Sequence, residues 1–132
     1  MKFFSIIIFL IFPSIVFGEW TKVSGNTSQG VYVYVDFQKI IQKNNFTYFW
    51  YLMDFKEKKY VKGYEYGVNS FVIRGQGECD LFRFKRLQFN VYKSRMGKDF
   101  MLNFEPKGEW KYPIPGSNYD RMLESVCKKR KF

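Results

Sequence analysis

Histidine is missing from this chain, and only two of its 132 residues are cysteine. Without an imidazole there is no Ser-His or Cys-His pair, and the commonest zinc ligand is gone. Two cysteines are too few for a thiolate metal cluster, so they read either as one disulfide or as two buried thiols. Proline is scarce, with four residues, and acidic residues number 12 against 22 Lys plus Arg. The resulting net charge of +10 draws the protein toward anionic partners, although basic residues are spread over every predicted strand and serve solubility as well. No apolar run reaches the roughly 20 residues that a membrane-crossing helix needs.

The longest apolar run, Phe3 to Phe17, follows Lys2 and ends at Gly18 before the polar Glu19. One positive charge, a short apolar stretch and a small residue form the three-part layout of a cleavable export signal. Residues 1–18 are therefore read as a signal peptide and residues 19–132 as one domain. Removing 18 residues from 132 leaves 114, enough for one modest core and too few for two, and no transmembrane segment is expected after cleavage. No cysteine stands at the cleavage point to carry a lipid anchor.

Aromatic residues make up 22% of the chain, and their placement is β-like. Val31, Val33 and Val35 alternate with Tyr32, Tyr34 and Asp36. The run Phe46 to Phe55 is apolar on both faces, which suits a central strand covered on both sides. Asn44 and Asn45 supply a turn before it, and Asn26-Thr27-Ser28 and Asn45-Phe46-Thr47, which match the glycosylation acceptor pattern, read as turn residues. Glu57 to Gly67 reads as an exposed hairpin connection or frayed strand ends. Strands are expected again over Ser70 to Glu78, Leu81 to Tyr92 and Phe100 to Phe104. Gly75 and Gly77 within a strand point to a bulge or a close backbone approach. Phe82 and Phe84 fall on even positions, but Leu87, Phe89 and Val91 fall on odd ones, which predicts a β-bulge near Lys85.

A helix should start after Ser117, a good N-cap, with Asp120 three residues on as in a capping box. Tyr119, Met122, Leu123, Val126 and Cys127 then share one apolar stripe. Cys79 lies at a predicted strand end, so a Cys79–Cys127 bridge would fasten helix to sheet. Closing a loop of about 49 residues contributes roughly 4 kcal/mol in the chain-entropy model.

No catalytic set assembles from these residues. Ser24, Ser28, Ser70, Ser94, Ser117 and Ser125 show no nucleophile-elbow spacing, and the Ser125, Lys128 pair is better explained by helix-end capping. Asp54, Glu65, Glu78 and Asp80 could form a carboxylate pair only if the fold joined two of them. No metal or cofactor site is expected. The candidate ligand contacts are basic: Lys58, Lys59 and Lys62 in the hairpin, Arg83, Lys85 and Arg86 in an aromatic strand, and Lys128, Lys129, Arg130 and Lys131 in the tail.

Taken in order, Trp20, the strand Val31 to Asp36 followed by Ile40, and the strand holding Trp50 and Asp54 form a recognisable series. It continues through Ser70, a strand ending at Cys79 and Asp80, and Arg83 to Leu87. Trp110, then Ile114-Pro115-Gly116-Ser117 and a last helix reaching Val126 and Cys127, complete it. Over nearly all of residues 20–127 the chain resembles the bacterial surface-adhesin protein E-like family. That resemblance implies an α+β fold: one antiparallel sheet of about six strands, with a C-terminal helix held on its concave face by the disulfide. It also implies an exported, non-enzymatic binding protein of Gram-negative bacteria, named for adhesion to host extracellular-matrix proteins. The partner is then a protein ligand or an anionic glycan, lipopolysaccharide or envelope surface, with a homodimer as a third alternative and no nucleic acid expected. Without an anchoring cysteine the periplasm is the favoured location, ahead of the cell surface or the medium.

Overall fold

The structure, a computed structural model, describes residues 19–60 and 67–129. Their strands form one antiparallel sheet. Thr21–Asn26 (β1), Val31–Val35 (β2), Phe46–Tyr60 (β4), Gly67–Glu78 (β5), Arg83–Tyr92 (β6) and Phe100–Phe104 (β7) lie side by side in that order, and the short Ile41–Lys43 (β3) pairs with the start of β4. The chain closes with one helix, Asn118–Lys128 (α1). Short β-rich segments joined by Asn and Gly turns produce consecutive antiparallel neighbours, as the composition implies. The strand count exceeds the expected six by β3, which forms because Asn44 adopts a left-handed conformation (φ 56°) and turns Ile41–Lys43 back onto Phe46–Tyr48.

Side-chain alternation divides the sheet cleanly. Val33, Val35, Phe49, Tyr51, Ile73, Phe84, Phe89 and Val91 face α1 or the surface beside it and form the main core with Met122, Leu123 and Val126. Two glycines leave room on this face, Gly75 for a ring of the neighbouring strand and Gly77 for the helix. A Cβ on Gly75 would lie 2.6 Å from the Phe49 ring, and one on Gly77 would lie 3.2 Å from Leu123. Both are close approaches, and Gly75 also borders the bulge. That bulge sits at Leu87, two residues beyond Lys85: Arg74 pairs with Gln88 and Gly75 with Arg86, leaving Leu87 as the extra residue. It keeps Phe84 and Phe89 on the same face despite their opposite parity.

Ser117 caps α1, its hydroxyl accepting from the Asp120 N–H, while the Asp120 carboxylate accepts from the Gly116 N–H at 2.8 Å. This is a capping box displaced by one residue. At the other end of the helix, Cys127 is bonded to Cys79 across 48 residues, with Cα atoms 5.7 Å apart. Residues 1–18, and with them the expected signal peptide, lie outside the described residues, as do Lys62, Glu65, Arg130 and Lys131.

Candidate functional site

The face opposite α1 has two halves. In the first, residues 94–99 fold back over Leu52 and Val72. Asp54 is fully buried there and accepts from Arg95 Nε at 2.9 Å, from its terminal guanidinium nitrogen at 2.6 Å and from the Met96 N–H at 2.8 Å. Ser70 Oγ donates to the Ser94 carbonyl and accepts from the Gly97 N–H. Met96 and Asp99 take positive φ, which their side chains disfavour, while Gly97 adopts it freely, so polar anchors hold a loop that two of its residues oppose. Asp54 holds the Arg95 guanidinium even higher than its ordinary pKa.

The second half is an aromatic face. Phe46, Tyr48 and Trp50 project from β4 as half-buried rings. Trp110, from the segment that follows β7, stacks on Phe46 with ring centres 6.2 Å apart. The main chain of that segment is pinned by a two-way bridge in which Phe84 N–H donates to Lys111 O and Lys111 N–H to Phe84 O. Three cations are seated on these rings. Arg83 lies 4.1 Å and Lys85 4.7 Å from the Trp110 centroid, and Arg74 lies 5.7 Å from Tyr48 and 6.0 Å from Trp50. Arg83 also donates to the Tyr112 hydroxyl at 3.1 Å and to Glu78 at 2.9 Å, and these partners, Tyr112 first, raise its pKa further. Beside Arg74 a polar cleft of about 400 Å³ is lined by Leu87, Gln88, Asn103, Phe104 and Glu105.

This geometry separates residues that stand together in the sequence. Arg83 and Lys85 reach the open face, but Arg86 points to the helix side, over the Phe89 ring at 5.5 Å. The expected basic strand is thus not one cluster, because successive side chains of a strand alternate. Lys58 and Lys59 belong to the far end of β4, about 40 Å along the strand from Phe46 at ~3.3 Å per residue. Lys59 there covers Phe55 at 5.7 Å. Glu57 to Tyr60 are the exposed end of β4, the strand-end alternative for this segment, and residues 61–66 lie outside the described residues. Lys128 pairs with Glu124 on α1, and Lys129 lies over Phe37. The helix-end lysines therefore sit on the helix side, away from Trp110's ring cluster. Arg74 and Trp110 complete the cluster and are not among the basic contacts expected from sequence. The available signal for Arg74 is a lone arginine after the apolar run Phe71-Val72-Ile73 and next to Gly75.

Among the described residues, no group of three or more acidic or cysteine side chains is placed to hold a metal ion. Of the carboxylates weighed for acid-base work, Asp54 is committed to Arg95 and Glu78 to Arg83. No helix among the described residues is long and apolar enough to cross a membrane.

A single antiparallel sheet, a helix stapled to one face and an aromatic face carrying cations define a small α+β domain. The chain belongs to the surface-adhesin protein E family, whose model matches residues 20–128. Membership makes it one of an exported, adhesin-like class. Two structures of protein E from Haemophilus influenzae share its fold. Crystal form II superposes with a TM-score of 0.64 at 14% identity, over 84% of this chain and 88% of that one. Protein E from a non-typeable strain gives 0.61 at 15% identity, over 88% and 80%. At such identity the likeness establishes the fold alone. No curated protein sequence matches the chain.

Proposed function

We propose that this protein is an exported, non-enzymatic binding protein that attaches to a macromolecular surface through the open half of its sheet, around Trp110. The observation that carries this reading is the seating of Arg74, Arg83 and Lys85 on half-buried rings of one sheet face. Tyr, Trp and Arg are the residues that most often anchor interfaces, and a rigid backing of strands limits the ordering cost of contact. The family description supplies the adhesive character. The test is binding of the purified chain to an immobilised extracellular-matrix preparation. A Trp110→Ala, Arg74→Ala variant should lose at least tenfold in affinity while keeping its thermal transition, and an undiminished variant would place the contact surface elsewhere.

Self-association is a second reading, carried by a different observation. Beyond the helix, Val68, Phe71, Phe89, Val91, Met101 and Leu102 line an apolar groove of about 200 Å³ beside β7. The outer edge of β7 has no strand partner among the described residues, and Phe100 and Phe104 are exposed there. Sedimentation equilibrium decides it: a Phe104→Asp change should shift any dimer to monomer, and monomer at every concentration for the unaltered chain removes this reading.

A further inference from the structure

We infer that the ligand of the Trp110 face is an acidic polysaccharide lying along β5 and β6, an inference that rests on the contact surface proposed above. Register fixes the spacing of the charges. Arg74 stands opposite Gln88, Lys85 opposite Gln76 and Arg83 opposite Glu78, so the three cations occupy successive levels two residues apart. At ~3.3 Å per residue the levels are about 7 Å apart and the row is about 14 Å long. A row of regularly spaced cations on an open face suits a linear, repeating anion better than a compact one. Glu78 takes part of the charge of Arg83. Arg74 and Lys85 have no carboxylate partner within ion-pair distance among the described residues.

The neighbouring groups narrow the chemistry. The carboxamides of Gln88 and Asn103 line the cleft beside Arg74, and Gln76 lies between the levels of Arg74 and Arg83; the exposed Glu105 carboxylate at the same cleft opposes an anion, one negative charge against the three cations of the row. Carboxamides both donate and accept hydrogen bonds, which matches sugar hydroxyls, whereas a bare phosphate surface presents only acceptors to the protein. The ring faces of Tyr48 and Trp50 are shared with Arg74, and that of Trp110 with Arg83 and Lys85. They act as seats for cations, and stacking of unpaired bases, the usual use of such rings, would have to displace the guanidinium groups. Seated cations also lose less rotamer freedom when they meet an anion.

The experiment immobilises heparin and polygalacturonate as acidic glycans, with neutral dextran, phosphatidylglycerol vesicles and single-stranded DNA as comparison surfaces. The purified chain should bind at least one acidic glycan and not dextran, with affinity falling steeply between 50 and 200 mM salt. Arg74→Ala with Lys85→Ala should cost at least tenfold. By analogy with other polyelectrolytes, the double change should also flatten the plot of log affinity against log salt by about 2. Arg86→Ala, a basic residue on the opposite face, should leave binding within twofold. Failure to bind either acidic glycan, equal or tighter binding to the vesicles or DNA, or an equal loss from Arg86→Ala overturns the inference. The two claims separate: if the Trp110 and Arg74 variant loses matrix binding but acidic glycan neither binds nor competes, the contact surface stands and the ligand class falls. If that variant keeps matrix binding, both fall.

Discussion

On the helix side of β4, Phe49 and Tyr51 lie fully buried beneath α1, whereas on the other side Tyr48 and Trp50 stay half-buried and carry Arg74. The same strand thus places aromatic rings in two environments. On the helix side they fill volume: Tyr51 meets Phe84 and Tyr119 edge-on, and Phe49 covers Gly75. On the open side they support charge. The comparison teaches that aromatic content alone does not mark a core. What decides the role of a ring is whether a helix, a loop or solvent lies above it.

The largest expected effect comes from the staple that maintains the difference. Replacing Cys79 and Cys127 with Ser should destabilise the fold by about 4 kcal/mol, because a 48-residue separation then becomes unconstrained in the unfolded chain. In a domain of this size that lowers Tm by roughly 15 °C. Calorimetry of the double variant checks it. A drop below about 1 kcal/mol would mean that packing of Met122, Leu123 and Val126 already holds the helix without the bridge.

Next in size is the anchor of the loop that closes half of the opposite face. Asp54→Ala removes a buried carboxylate that accepts three hydrogen bonds, and should cost about 2 to 3 kcal/mol. The lower part of that range is favoured because Arg95 is half exposed and water can take over its charge. Amide exchange at Met96 and Gly97 should accelerate. If the loop stays protected in the variant, then the contacts of Gly97 with Val72 and Leu52 close this half, and the carboxylate does not.

Alkaline stability separates the two faces more finely. Tyr51 is buried, and its hydroxyl has no partner of good hydrogen-bond geometry among the described residues, Tyr119 being the polar group that acts on it. Burial chiefly, with the electrostatic influence of Tyr119 in support, pushes its pKa well above the ordinary tyrosine value. The native state therefore keeps this proton after the unfolded chain has released it. The stability contributed by the neutral phenol is complete below pH ~10 and declines as pH rises above that, by up to about 1.4 kcal/mol per unit for one group. Tyr34 and Tyr92 are shifted the same way by burial and add to the slope. Tyr51→Phe should change stability by no more than about 1 kcal/mol at pH 7 and should flatten the decline between pH 10 and 11. Denaturant unfolding across that range is the measurement, and an unchanged slope would mean that the other tyrosines account for it.

Much of this architecture can be read from local pattern. Alternation in Val31–Val35, the stripe through Met122, Leu123 and Val126, the Ser117 cap and the parity change around Leu87 are short-range signals, and each leads to an element that forms. The open face was harder to see for a physical reason. Arg83, Lys85 and Arg86 are neighbours in sequence, but alternation and a bulge at Leu87 assign Arg86 to the other side. Trp110 joins Phe46 across 64 positions, and Arg95 finds Asp54 across 41, so neither pair leaves a trace in any window of sequence. Register and loop path create these contacts, and a residue pattern contains neither.

The smallest expected change in stability is also the one that bears most directly on function. Arg74→Ala and Lys85→Ala remove cations whose contacts with Tyr48, Trp50 and Trp110 are each worth only about 0.5 to 1 kcal/mol at exposed sites. Removing them also relieves repulsion in a chain of net charge +10, which offsets part of that loss. The double variant should therefore unfold within about 1 kcal/mol of the parent, checked by urea titration with an unchanged m-value. A loss of 3 kcal/mol or more would make these cations structural, and the open face would be a second core lacking a cover. A near-neutral result leaves these two cations without a role in folding, as the contact surface proposed for this half requires.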